Sequence, residues 1–127
     1  MEIHEVGLDY LKSDKNIENY IKQFFPNCNL NIYKKLDNKF YVIFNNNEII
    51  GFFNIFKNNR IQRFAILPQF RNQKIGTNAI SLITQKYPNL HCFIKKNNPA
   101  IQFWLKNNFI IKEEIGNIIK LDYLSPN

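Results

Sequence analysis

Ile66-Leu67-Pro68-Gln69-Phe70-Arg71-Asn72-Gln73-Lys74-Ile75-Gly76-Thr77 is the stretch on which the reading of this chain turns. It begins as the end of an apolar strand, passes a proline, and crosses small or polar residues into a segment of different period. From there Ile75, Ala79, Leu82, Ile83 and Lys86 mark one side of a helix. A tight strand-to-helix loop aims backbone N–H groups and the positive helix end at one point, which makes an anion site. Gly76 falls in the first helical turn, where a missing Cβ lets a pyrophosphate approach closely. The same pattern also describes an ordinary strand-to-helix turn, so the flanking segments must decide.

Upstream, Phe40 to Phe44 and Glu48 to Phe56 are rich in aromatic and β-branched residues and flank three asparagines, which signals a hairpin. Asn58-Asn59 then turns the chain into a third strand, Arg60 to Leu67. Nearer the N-terminus, Ile3 to Leu8 suits a short first strand. Asp14 suits the cap of a helix whose apolar face is Ile17, Tyr20, Ile21 and Phe24, and Pro26 ends that helix.

Downstream, Tyr87-Pro88-Asn89 stops the helix after the loop, and Leu90 to Ile94 reads as a buried strand. Asn98 predicts the cap of another helix, with Pro99 at its first position, running through Ala100, Phe103 and Trp104 to Asn107. Asn108 occupies a left-handed slot, and Phe109 to Glu114 with Asn117 to Leu124 form a final hairpin around Gly116. The order is β, α, three strands, α, β, α, two strands. It predicts an α/β (α+β) fold: a mixed, largely antiparallel sheet of about six to seven strands with helices on both faces.

The 127 residues fit one domain, 1–127, and 45% hydrophobic content with 12 Phe and 6 Tyr supplies a core and excludes disorder. No apolar run approaches the roughly 18 residues that cross a bilayer, and the first ten residues carry no secretion signal. A cytoplasmic protein without a membrane partner is therefore expected. Cys28 and Cys92 form no CxxC pair, so no metal site is expected. The net charge of +7 is unevenly spread. Between Ile49 and Lys112 there is no Asp or Glu, yet ten Lys or Arg. Such a field suits phosphates, whether of a nucleotide cofactor or of nucleic acid.

Both loop and second helix resemble one family. Ile66-x-Pro68 followed by Arg71-Asn72-Gln73-Lys74-Ile75-Gly76 is similar to the strand end and phosphate loop of the GNAT superfamily of N-acetyltransferases. Asn97-Asn98-Pro99-Ala100, then Trp104 and Asn108-Phe109, resembles the family's second motif at about the right distance. The resemblance implies that two strands splay apart around the pantetheine arm of acetyl-CoA (coenzyme A). It places the Ile66 N–H as donor to the thioester carbonyl, an oxyanion-hole role. It places the N–H groups from Arg71 or Gln73 through Ile75, Gly76 and Thr77 on the pyrophosphate, with added charge from Arg71 and Lys74. Asn97 matches a residue lining the channel near the sulfur.

The resemblance implies acetyl transfer to a primary amine by direct attack in a ternary complex, with no enzyme nucleophile. The acceptor is then a small-molecule or peptide amine, and homodimers are common in the family. Three positions depart from the pattern. Lys74 replaces the first loop glycine. Trp104 replaces a Tyr that protonates the leaving thiolate; an indole is a donor only, so Trp104 is expected as channel wall. Arg60 replaces a Glu base, leaving His91, Glu48, Glu113, Glu114 or water for that role. A neutral or anionic amine suits this charge better than a polyamine. The losses also fit an acyl-CoA-binding sensor or scaffold without turnover. A basic nucleic-acid-binding domain is disfavoured, because no such motif is present and the aromatics fall at core spacing.

Overall fold

The structure, a computed structural model, describes residues 1–34 and 37–126. The strands are β1 (Glu2–Val6), β2 (Asn38–Asn45), β3 (Glu48–Phe56), β4 (Arg60–Ile66), β5 (His91–Lys95), β6 (Phe109–Ile115) and β7 (Ile118–Tyr123). The helices are α1 (Leu8–Ser13), α2 (Lys15–Phe24), α3 (Ile75–Lys86) and α4 (Ile101–Lys106). The strands form one seven-stranded sheet in the order β1-β2-β3-β4-β5-β7-β6. Every neighbouring pair is antiparallel except β4 with β5.

The period of two in β2 and β3 explains why helices cover both faces. Phe40, Val42 and Phe52 point into a core with Leu11, Ile17 and Ile21 of α1 and α2. Tyr41, Ile43, Phe53 and Ile55 point the other way, against Ile75, Ala79, Ile80 and Ile83 of α3 and Trp104 of α4. The fold class expected from the sequence is thus the one observed.

Asparagine does the work of glycine in the turns. Asn46, Asn47, Asn58, Asn59, Asn72 and Asn108 all hold positive φ, as Asn tolerates better than most residues. The Asn46-Asn47 pair joins β2 to β3 as a two-residue hairpin, and Asn108 fills its expected left-handed slot. Asp14 caps α2 as expected, its carboxylate accepting from the N–H groups of Asn16 and Ile17 at 3.0 and 3.2 Å.

Three local expectations are corrected. Gly7 ends β1 early, and α1 follows it. Leu11 alone of α1 is fully buried, so the segment carries too little period to be read as a helix. Helix α4 begins at Ile101, later than expected, because Asn98 and Pro99 form a preceding turn in which Asn98 Oδ1 accepts from the Ala100 N–H at 2.9 Å. Ile80 rather than Leu82 completes the fully buried face of α3.

Candidate functional site

β4 and β5 run parallel but pair only at Arg60 with His91, then diverge. This leaves a V-shaped gap that opens toward Ile66. A bulge in β4 helps to make it: Phe52 pairs with Ala65 and Asn54 with Gln62, so Arg63 and Phe64 together oppose Phe53. Arg63 is the bulged residue with φ 51. On the far side, Gly51 brings β3 close to the strand end, since a Cβ there would sit 2.5 Å from the Ala65 carbonyl oxygen.

Ile66 offers its backbone to the gap. The Leu67 N–H is used by Ile50 O at 2.9 Å, and alternate residues face opposite edges, so Ile66 turns toward β5. The Ile66 carbonyl on that side accepts from Arg71 Nε at 3.0 Å. That bond folds Arg71 back over the strand end, with its guanidinium carbon 5.5 Å from the Phe24 ring centre.

The loop then delivers a helix N-terminus to the gap's mouth. Lys74 caps α3 in left-handed conformation, φ 59 and ψ 15, with no side-chain capping bond. Glycine prefers this backbone, so the loop keeps a glycine-like shape with lysine in place. The first backbone bond of α3 runs from Asn78 N to Lys74 O at 3.0 Å, leaving the N–H groups of Ile75, Gly76 and Thr77 without a backbone partner. No acidic residue lies in that first turn. The helix dipole and Lys74 therefore add positive potential to the open donors.

These features border a cleft of two lobes. The larger, about 980 Å³, is lined by Ile66, Arg71, Lys74, Ile75, Gly76 and Thr77, among others. The smaller, about 340 Å³, lies inside the V, between Arg60, Arg63, Cys92, Phe93 and Trp104. Phe25, Phe64 and Asn98 line both, so the lobes adjoin. Trp104 is buried against Phe64, Phe103 and Phe109, with ring centres 5.6, 5.3 and 4.9 Å away. It forms a wall of the smaller lobe.

Not every expected residue reaches the cleft. Pro68, Gln73 and Asn97 are exposed and line neither lobe, whereas Asn98, one position from Asn97, lines both. Gly76 borders the larger lobe, but a Cβ there would point at Phe103, 3.0 Å from its ring, rather than into the groove. Its missing side chain serves the packing of α4 on α3 as much as any ligand. Phe24 and Phe25 at the end of α2 complete the cleft. Phe24 was legible only as part of an apolar helix face and Phe25 not at all, because the tertiary fold alone brings them to the cleft.

No Asp, Glu or His lines either lobe among the described residues. Glu48, Glu113 and Glu114 are exposed on hairpins. Glu18 is taken by Lys22 at 2.8 Å, and Asp14 by its cap. His91 sits where the V closes; burial, then Lys120, depresses its pKa from 6.5, against a raising effect of Asp122. The Cys92 thiol is pushed up to about 12, chiefly by burial, so it is no thiolate at neutral pH. Among the described residues, no group of His, Cys, Asp or Glu is arranged to hold a metal, and no helix is long and apolar enough to cross a membrane.

A mixed sheet split between two parallel strands, with an uncapped helix end at the split, defines the structural class. The chain belongs to the acetyltransferase (GNAT) family, whose sequence model matches residues 4–109. Its fold is similar to a putative GNAT acetyltransferase from Bacteroides thetaiotaomicron, at TM-score 0.81 and 13% identity over 100% of this chain and 89% of that one. It is also similar to the PaiA N-acetyltransferase of Thermoplasma acidophilum in complex with coenzyme A, at TM-score 0.64 and 19% identity over 96% and 97% of the two chains. A third is the N-acetyltransferase PseH of Campylobacter jejuni in complex with acetyl-CoA, at TM-score 0.64 and 14% identity over 98% and 99%. No curated protein sequence matches the chain. Acetyl-CoA is the cofactor of the family.

Proposed function

We propose that the chain is one cytoplasmic N-acetyltransferase domain that transfers an acetyl group from acetyl-CoA to a primary amine. The observation that carries this reading is the pairing of the β4–β5 split with the open donors of α3, in adjoining lobes of about 340 and 980 Å³. The residues present suit the cofactor. The N–H groups of Ile75, Gly76 and Thr77, with Arg71 and Lys74, would hold its pyrophosphate. The Ile66 N–H, facing the gap, would donate to the thioester carbonyl as negative charge develops there. Bound acetyl-CoA supplies the activated acyl carbon.

The amine would attack that carbon directly, forming the C–N bond as the C–S bond breaks, and coenzyme A would leave as its thiolate. The amine proton would go to water, since no Asp, Glu or His among the described residues lines the cleft. Thioester aminolysis chiefly needs positioning, which the cleft supplies. Trp104 walls the reacting end and Asn98 borders the junction of the lobes, a place the sequence motif gave to Asn97. Two free cysteines, neither disulfide-bonded, suit a reducing compartment.

The test is coenzyme A release from acetyl-CoA across a panel of primary amines, with mass analysis of the protein. The expected result is amine-dependent release without acetylation of Cys92. An acetylated protein that passes its acetyl group to the amine would contradict direct attack. Binding without release for any amine would favour an acyl-CoA sensor.

A further inference from the structure

Arg60 and Arg63 both line the smaller lobe, and among the described residues neither forms an ion pair. Arg60 stands at the closed end of the V, its guanidinium carbon 4.6 Å over the Phe93 ring. Its Nε is buried and has no hydrogen-bond partner among the described residues. Arg63, on the bulge, donates from one terminal nitrogen to Asn54 Oδ1 at 3.3 Å and Gln62 Oε1 at 3.2 Å.

Those acceptors are themselves fixed. Asn54, fully buried, donates to Asn38 Oδ1 at 2.8 Å and to Gln62 Oε1 at 3.2 Å. This amide chain orients Arg63 without neutralising it. Cys92 beside them is a protonated thiol. Asp122, on β7 beyond β5, lies 3.7 Å from Lys120 Nζ and does not line the lobe. Like charges held together in a half-buried lobe are costly, and an anion that bridges them removes that cost.

We propose that the acceptor is a compact primary amine bearing a carboxylate, which Arg60 and Arg63 hold in the smaller lobe beside Trp104. A carboxylate is planar and matches the guanidinium fork, which a point charge does not. The lobe of about 340 Å³ suits a small molecule of that kind. The same two cations disfavour protonation of an amine bound beside them, which offsets the lack of a carboxylate base. This inference rests on the acetyltransferase reading.

The test first measures acetyl-CoA binding by calorimetry for wild type, Arg60→Gln, Arg63→Gln and Arg63→Lys. It then follows coenzyme A release with matched acceptors: glycine against glycinamide, β-alanine against its amide, phenylalanine against phenylalaninamide. The expected result is kcat/KM about 10- to 100-fold higher for the carboxylates, with unchanged acetyl-CoA affinity in the variants. Both Gln variants lose that preference, and Arg63→Lys keeps part of it. A preference for the amides, or one that survives both Gln variants, overturns the inference and leaves the acetyltransferase reading standing. Loss of acetyl-CoA binding in both variants overturns it too, by assigning the arginines to the cofactor or the fold. If no amine turns over, saturable binding of a carboxylate amine to the CoA-loaded protein, lost in Arg60→Gln, supports it, and absence of such binding overturns it. If wild type fails to bind acetyl-CoA, both readings fall.

Discussion

At the residue scale, Arg63 and Lys74 hold left-handed backbone although neither is Gly or Asn, with φ of 51 and 59. Each such position costs about 1 to 2 kcal/mol for an ordinary residue. Both line the cleft, one in each lobe. Among the described residues asparagine serves every other non-glycine left-handed position, so strain kept at this site argues that the side chains are wanted there. The sequence displayed Lys74 in a glycine's place, but not that the loop would keep its shape around it. Nor did it display the bulge at Arg63, since bulges leave no periodic trace. His91 allows a check of its own. Because its folded pKa is lowered from 6.5, the unfolded chain takes up the proton more readily. Stability is therefore full above the unfolded value and falls as pH drops through it toward the folded one. Thermal unfolding between pH 8 and pH 5 should show Tm declining below about 6.5, less so in His91→Asn. Parallel profiles for both proteins would contradict the assignment.

At the scale of elements, β2, β3, β4, α2, α3 and the final hairpin were legible because each carries a clean period or a turn signal. Their observed ends fall within a few residues of the expected ones. What stayed hidden depends on partners distant in sequence: the late start of α4, the placement of Phe25 over the cleft, and the reason for each glycine. Gly51 is the sharpest instance. The close approach of β3 to Ala65 sets where Ile66 sits, because a Cβ would collide with backbone that cannot rotate away. Gly51→Ala should cost about 1–3 kcal/mol in denaturant unfolding, as overpacking does. It should also weaken acetyl-CoA binding, because β4 must shift to admit the methyl group. An unchanged urea midpoint would show that the strands relax freely there.

For the whole molecule, the charge pattern and the fold tell one story. The acid-free stretch from Ile49 to Lys112 supplies β4, the loop, α3, β5 and α4, which build most of the cleft. Of the N-terminal acids, Asp14 is engaged in its cap and Glu18 with Lys22. The sequence alone carried this charge segregation, and the family resemblance carried the cofactor. The inward turn of Arg60 and Arg63 needed the sheet. The α3 terminus is tested as a phosphate site most directly by calorimetric titration of wild type and Thr77→Asp with acetyl-CoA. A carboxylate in the first turn of α3 favours the helix, so the variant should fold, yet it places an anion at the open donors. Wild type should bind with micromolar affinity and the variant at least about ten-fold more weakly. No binding by folded wild type, or equal affinity in Thr77→Asp, would contradict that role.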